Sequence, residues 1–380
     1  MKRTIIIAAI IMLAAPSAYS QSLPEPKEIM KVMTKVNNYV MNKRYADPTA
    51  VMPYPSRKKD YPSNIWTRGV YYEGLMALYS VSPKNEYYDY AVKWADFHKW
   101  GMRNDDTATS NSDNYCCAQT YIDLYRLCPE PHRLRKTLAC TDMIMHIPFN
   151  GDWTWIDAIQ MGMPVFTKLG RLTGESRYYE KAWLMYRSSR DEQGLYNEKE
   201  GLWWRDKDFL PPYKEPNGED CYWSRGNGWV VAALAKVLGD IPADEPHRKV
   251  YLKDFKAMCK ALLACQREDG FWNVSLHDPT NYGGKELTGT ALFIYGMAWG
   301  VNNGILDKDT YMPVIVKSWE AMASCVHKNG FLGYVQGTGK EPKDGQPVTF
   351  DSVPDFEDYG AGCFLLAASE VYKLAYSNRL

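Results

Sequence analysis

The sequence predicts an all-α protein, an (α/α)6 barrel in which six helical hairpins close into one toroid. Three observations lead there. Apolar residues recur at i, i+3, i+4 and i+7 almost throughout, and alternating strand-like runs are scarce. Start and stop signals divide the chain into twelve helices. Those helices alternate between two types, one with a polar or aromatic opening that runs into small and apolar residues, the other amphipathic and charged. A period of two helices marks a toroid or solenoid.

Residues 1–20 read as a secretory signal. Lys2 and Arg3 precede an apolar run from Ile5 to Ala15, too short to span a bilayer, and Ala18 and Ser20 supply the small residues a signal peptidase reads. No Cys follows the run, which argues against a lipid anchor. The expectation is an exported protein, periplasmic or extracellular, that has no membrane partner once the signal is removed. The helices follow near 26–44, 66–82, 85–100, 113–128, 131–147, 155–173, 176–190, 224–239, 247–266, 286–302, 309–325 and 358–375. The first-type helices open at Trp66-Thr67-Arg68-Gly69, Asp113-Asn114, Trp155-Ile156-Asp157, Ser224-Arg225-Gly226-Asn227-Gly228-Trp229, Glu286-Leu287-Thr288-Gly289-Thr290 and Asp358-Tyr359-Gly360-Ala361-Gly362. They are expected inside the ring, with the amphipathic helices outside. If every inner helix runs the same way, their N-termini gather at one mouth, where free N–H groups and helix dipoles favour an anionic ligand group such as a sugar acid. No linker rich in Pro, Ser or Gly divides residues 21–380, so one domain is expected.

Composition narrows the partners. Lys+Arg and Asp+Glu are both 45, so the chain has no electrostatic footprint for nucleic acid or an anionic membrane. Hydrophobic residues at 46% and charged residues at 24% exclude long disorder and a polytopic membrane protein. The aromatic excess rests on 28 Tyr and 13 Trp against 11 Phe. Tyr and Trp pair an apolar face with a polar edge, which suits a flat polar ligand such as a sugar, and equally a large core with wet edges. The nine Cys include no CxxC pair, and Cys116, Cys117, Cys140, Cys259, Cys265 and Cys363 lie in apolar helical contexts. Free buried thiols and no Cys-based zinc site are the expectation. The six His show no HxH or HExxH spacing, and no GxSxG, Walker A or GxGxxG context exists. Zinc hydrolysis, serine nucleophiles and nucleotide chemistry are therefore disfavoured, and neither metal nor cofactor is expected.

The residues that can carry chemistry sit at helix openings. Asp157 lies among Trp153, Trp155 and Met161, where desolvation raises a carboxyl pKa and fits it for acid work. Asp113 opens the preceding inner helix, so the two carboxylates can face each other across the mouth and push their pKa values apart. Either could also be a simple helix cap. The stretch Trp223-Ser224-Arg225-Gly226-Asn227-Gly228-Trp229 sets a cationic fork beside flat apolar faces. The loop Trp203-Trp204-Arg205-Asp206-Lys207-Asp208 is placed where a sugar contact would be, while Glu286 and Asp358 read as caps.

These stretches together resemble glycoside hydrolase family 105, the unsaturated rhamnogalacturonyl hydrolases, related to the unsaturated glucuronyl hydrolases of family 88. The resemblance runs from about Met30 to Leu374, and the Trp223–Trp229 and Trp153–Pro164 segments carry it. It implies an (α/α)6 barrel that hydrates the 4,5 double bond a polysaccharide lyase leaves on a non-reducing-end uronic acid, with rhamnogalacturonan fragments as the favoured source. It assigns Asp157 as the acid/base that protonates C4 and activates the water that attacks C5, and Asp113 as the second carboxylate. Trp223, Arg225 and Trp229 would line the sugar subsite, with Asn227, Trp155, Trp66 and Arg205 completing the binding set. Arg205 stands where the family often carries a His, which directs attention to this loop for sugar specificity. A conventional (α/α)6 glycosidase, a sugar epimerase and a non-catalytic carbohydrate-binding protein are the alternatives. The first, if inverting, needs two carboxyl groups about 6.5–9.5 Å apart across a scissile bond. The second needs a His near the pocket, and the last leaves the placement of Asp157 and Asp113 unexplained.

Overall fold

In the outer helix α1 (Pro26–Tyr39), Ile29, Met33 and Val36 are fully buried while Lys27, Lys31 and Lys35 are exposed. This is the one-sided stripe of a helix with a single packed face. Helix α11 (Leu287–Asn302) is instead buried on nearly every side, as an inner helix must be. A computed structural model describes residues 22–44, 46–54, 58–354 and 358–377, so the signal segment 1–20 lies outside the described residues.

The helices between them are α2 (Trp66–Val81), α3 (Asn85–Phe97), α4 (Ser112–Tyr115), α5 (Ala118–Leu127), α6 (His132–His146), α7 (Asp157–Thr173), α8 (Ser176–Arg187), α9 (Ser224–Asp240) and α10 (Arg248–Cys265). After α11 come α12 (Lys308–Ser324) and α13 (Asp358–Ser377). The inner ring runs α2, α4 with α5, α7, α9, α11, α13 and back to α2, and α3, α6, α8, α10, α12 and α1 pack outside it. All twelve expected helices are present. The fourth is broken at Cys116 and Cys117, where the Gln119 amide bonds Cys116 O three residues back and tightens the turn. Two short hairpins were not foreseen: β1 (Met52–Tyr54) with β2 (Lys59–Tyr61), and β3 (Tyr196–Asn197) with β4 (Leu202–Trp203). Strands this short leave too little alternation to read. All nine cysteines are free, and seven are buried.

Ring closure depends on glycine. A Cβ on Gly74 of α2 would lie 2.5 Å from Gly362 O of α13, and one on Gly362 would collide with the Val70 carbonyl. Backbones touch here with no side chain between them. The same seam holds Arg68 Nε 2.8 Å from Asp358 Oδ2, both side chains fully buried. Gly362→Ala is therefore expected to lower unfolding stability by about 1–3 kcal/mol, because backbone cannot yield as a side-chain tip can. Denaturant titration would check it, and an unchanged midpoint would show that the seam is loose.

Candidate active site

The N-terminal ends of α2, α4 and α7 meet at a cavity of about 270 Å³. Its walls are Tyr61, Ile65, Trp66, Arg103, Asp113, Trp155, Asp157, Met161, Arg205, Thr338 and Gly339. A larger depression of about 710 Å³ lies at the C-terminal ends, but its charges answer one another: Lys168 with Asp123 at 2.5 Å, Lys373 with Glu370 at 2.6 Å, and Arg171 with Asp240 at 3.4 Å. Cations suit the negative ends of helix dipoles, and here they serve the fold.

Local structure brings the two carboxylates to one rim. Asp157 is the first residue of α7, and Asp113 enters α4 with its amide held by Asn111 Oδ1 at 3.0 Å. The two helices pack closely because Gly162 leaves no side chain against Tyr115 and Trp153, whose ring N–H donates to the Tyr115 hydroxyl at 3.1 Å. Pro164 in α7 has no N–H to give the Gln160 carbonyl, and the side chain of Gln119 on α5 supplies that bond at 2.9 Å. Arg205 arrives by main-chain pairing. Trp155 forms a β-bridge with Asp206, the Ile156 amide bonds Arg205 O at 2.9 Å, and Arg205 Nε then lies 3.3 Å from Asp157 Oδ2. Its Nη1 donates to Asp206 Oδ2 at 2.6 Å.

Burial raises the Asp113 carboxyl to about 7, with the Asp157 charge adding to the rise and Arg205 and Arg103 opposing it. Burial also raises Asp157, against the attraction of Arg205 and Arg225. The pair therefore holds a proton near neutral pH that two exposed carboxylates would have lost, and its titration belongs to both. This is a proton source and acceptor in one cavity.

Of the expected binding residues, Trp66, Trp155 and Arg205 line the cavity. Trp223, Arg225, Asn227 and Trp229 do not: all four are buried behind the wall. Arg225 donates to Gln336 O and Gly337 O and to the Tyr359 hydroxyl, at 3.3, 3.0 and 2.9 Å, with its guanidinium 4.4 Å from the Trp223 ring. Trp223 donates to Gln336 Oε1 at 3.1 Å. Asn227 takes the Trp203 amide and donates to Trp203 O, which fastens β4 to α9. Trp229 packs edge-on against Trp66 at 6.2 Å. Most of their polar groups are engaged by neighbouring loops, while Arg225 Nε and Trp229 Nε1 stay buried without a partner, and the four back the wall that carries Thr338, Gly339 and Trp66. Met161 is the neighbour expected beside Asp157, whereas the wall residues Tyr61, Ile65, Arg103, Thr338 and Gly339 escaped sequence reading, since they come from short or irregular segments without a periodic signal. Glu286 is the expected cap, accepting the Thr288 and Gly289 amides at 2.7 Å each.

The raised Asp113 value sets a pH window. Between the ordinary 3.8 and about 7, the folded chain keeps a proton that the unfolded chain has lost, so ionising Asp113 costs stability as pH rises through that window. Asp113→Asn is expected to raise Tm above that of the parent at about pH 8 and to leave it unchanged near pH 3. A Tm difference independent of pH would contradict the raised value.

Residues 32–375 match the model of Glycosyl Hydrolase Family 88, the group to which the family 105 resemblance is related. An unsaturated 3S-rhamnoglycuronyl hydrolase of Formosa agariphila is 33% identical over 332 residues, covering 81% of this chain and 84% of the relative. A solved structure described as a polysaccharide lyase is 34% identical with a TM-score of 0.83, covering 93% of this chain and 99% of that one. A glycosyl hydrolase family 88 structure from Bacteroides vulgatus is 32% identical with a TM-score of 0.82, covering 92% and 99%. With a six-hairpin ring and two carboxylates at its N-terminal mouth, the chain belongs to Glycosyl Hydrolase Family 88, as a glycoside hydrolase in the family of unsaturated rhamnoglycuronyl and glucuronyl hydrolases.

Proposed function

We propose that this enzyme hydrates the 4,5 double bond of an unsaturated uronic acid linked to rhamnose in lyase-generated oligosaccharides. The observation that supports it is the Asp113 and Asp157 pair, which keeps a proton near neutral pH inside one small cavity. Asp157 delivers a proton to C4 of the enol ether, and the positive charge that develops at C5 is met by water. That water loses its proton to the same carboxylate as its oxygen bonds C5. The product is a hemiketal, which opens to a C5 ketone, and the hemiacetal left at C1 expels the neighbouring sugar as an alcohol. Asp113 maintains the proton content of the pair. Arg205, 3.3 Å from Asp157, favours the ionised carboxylate that must accept the water's proton in the second half of the reaction.

Rhamnose as the leaving sugar draws on the Formosa relative, which is named an unsaturated 3S-rhamnoglycuronyl hydrolase. Rhamnogalacturonan fragments share the uronyl-rhamnose unit, with no sulfate required. Lys2, Arg3 and the apolar run to Ala15 support export to the periplasm or beyond, where such fragments arise.

One assay separates the readings. Incubated with an unsaturated uronyl-rhamnose disaccharide, the enzyme is expected to erase the ultraviolet absorbance of the conjugated double bond. Asp157→Asn is expected to slow that loss by about 10²–10⁴-fold while the fold is retained. A rise in absorbance on intact polysaccharide would mark a lyase instead, the activity for which one similar structure is described. No change with any unsaturated uronide would sink the hydration reading. Arg205→His should alter the rate ratio between uronyl-rhamnose and uronyl-hexosamine substrates, and an unchanged ratio would remove Arg205 from specificity.

A further inference from the structure

The cavity holds two arginines, and they stand in different electrostatic circumstances. Arg205 faces two carboxylates, Asp157 at 3.3 Å and Asp206 at 2.6 Å. Arg103 forms no ion pair within 4.0 Å among the described residues. Its guanidinium lies 4.8 Å from the centre of the Tyr61 ring, and Nη1 donates to Asn114 Oδ1 at 3.3 Å. Its Nε is buried and has no partner. A buried donor left open costs about 1–3 kcal/mol, more when it belongs to a charged group.

The segment that presents Arg103 is itself strained. Lys99, Trp100, Asn104 and Asp105 have φ of 50, 55, 59 and 59°, all in the left-handed region that non-glycine residues rarely enter. Other parts of the fold clamp it. Asn64 Nδ2 donates to Gly101 O and Met102 O at 3.1 and 3.0 Å, and the Tyr121 hydroxyl donates to Gly101 O at 3.1 Å. Lys136 reaches Asp105 Oδ1 at 2.5 Å. A costly backbone held from several sides places, on the wall that also carries Asp113, a cation with no ion pair within 4.0 Å among the described residues.

We propose that Arg103 is a specificity-determining residue that binds an anionic oxygen group of the substrate across the cavity from Arg205. The inference rests on the uronide reading above and adds the residue that recognises the charge. Two sources offer the same chemistry: the carboxylate of the unsaturated uronic acid and an ester sulfate on the adjoining rhamnose. Either presents oxygens to a planar fork of N–H donors, a geometry that lysine cannot reproduce.

The test measures binding apart from turnover. In an Asp157→Asn background, calorimetry would follow unsaturated uronyl-rhamnose with and without the rhamnose sulfate, comparing Arg103 with Arg103→Gln and Arg103→Lys. Arg103→Gln is expected to weaken binding at least about tenfold and to flatten its salt dependence, with Arg103→Lys between the two. The lysine variant keeps the charge and the aliphatic stem, which guards against a folding defect. An equal loss on both sugars assigns the uronate carboxylate, and a loss confined to the sulfated sugar assigns the sulfate. Unchanged Kd for both sugars in Arg103→Gln overturns the inference while leaving hydration standing if the unsubstituted enzyme turns them over. Arg103-dependent binding without any turnover by the unsubstituted enzyme overturns the hydration reading alone, and absence of binding overturns both.

Discussion

The contact on which the rest of this molecule depends is the seam between its first and last inner helices. Helices α2 and α13 are almost the whole chain apart in sequence, yet Gly74 and Gly362 let their backbones touch. Arg68 and Asp358 are buried as a pair at the same place. A buried pair adds little net stability because of its desolvation cost, but one half without the other leaves an uncompensated charge. Its value lies in register, since only one alignment of the two helices satisfies both the glycines and the ion pair. That alignment closes the ring and brings the helix N-termini to a common mouth.

Inside the ring, a polar cluster ties four inner helices about the axis. Glu73 of α2 accepts from Gln160 of α7 at 3.0 Å and pairs with Lys236 of α9. Lys236 also reaches Gln119 of α5 at 3.3 Å, and Gln119 in turn satisfies the carbonyl that Pro164 leaves open. Breaking any of these bonds would leave a buried polar group open, as Gln160 Oε1 already is, so the cluster resists slippage of one helix against another. The active-site rim inherits this rigidity, because α5 and α7 are the continuations of the segments that carry Asp113 and Asp157.

The catalytic mouth is shaped by loops that the core holds rather than by the core itself. Arg225, Trp223 and Tyr359 converge on Gln336, a fully buried residue whose amide nitrogen donates to Asp344 O at 2.8 Å. This knot fixes Thr338 and Gly339 on the cavity wall. Much of the aromatic excess has the same character: Trp153, Trp203, Trp223 and Trp229 are buried in packing, whereas Trp66 and Trp155 reach the cavity.

By itself the sequence determined the helices and their two kinds, because a side chain's burial on a helix follows from a local 3.6-residue period that short windows contain. It also marked Asp113 and Asp157, since a carboxylate at the head of an apolar helix is conspicuous wherever the helix lies. What it could not separate was a residue that lines a pocket from one that supports it. Arg225 and Asn227 sit in a polar, glycine-rich stretch that reads as a binding motif, and only the approach of Gln336 and Trp203 from elsewhere in the chain engages most of their donors and acceptors. Tyr61 comes from a three-residue strand and Arg103 from a single 3-10 turn, both too short to show periodicity, and only the fold sets them together in the cavity that Asp113 lines. Local periodicity encodes elements, whereas hydrogen-bond satisfaction and cavity walls depend on contacts between residues far apart in the chain, and the tertiary structure alone decides those.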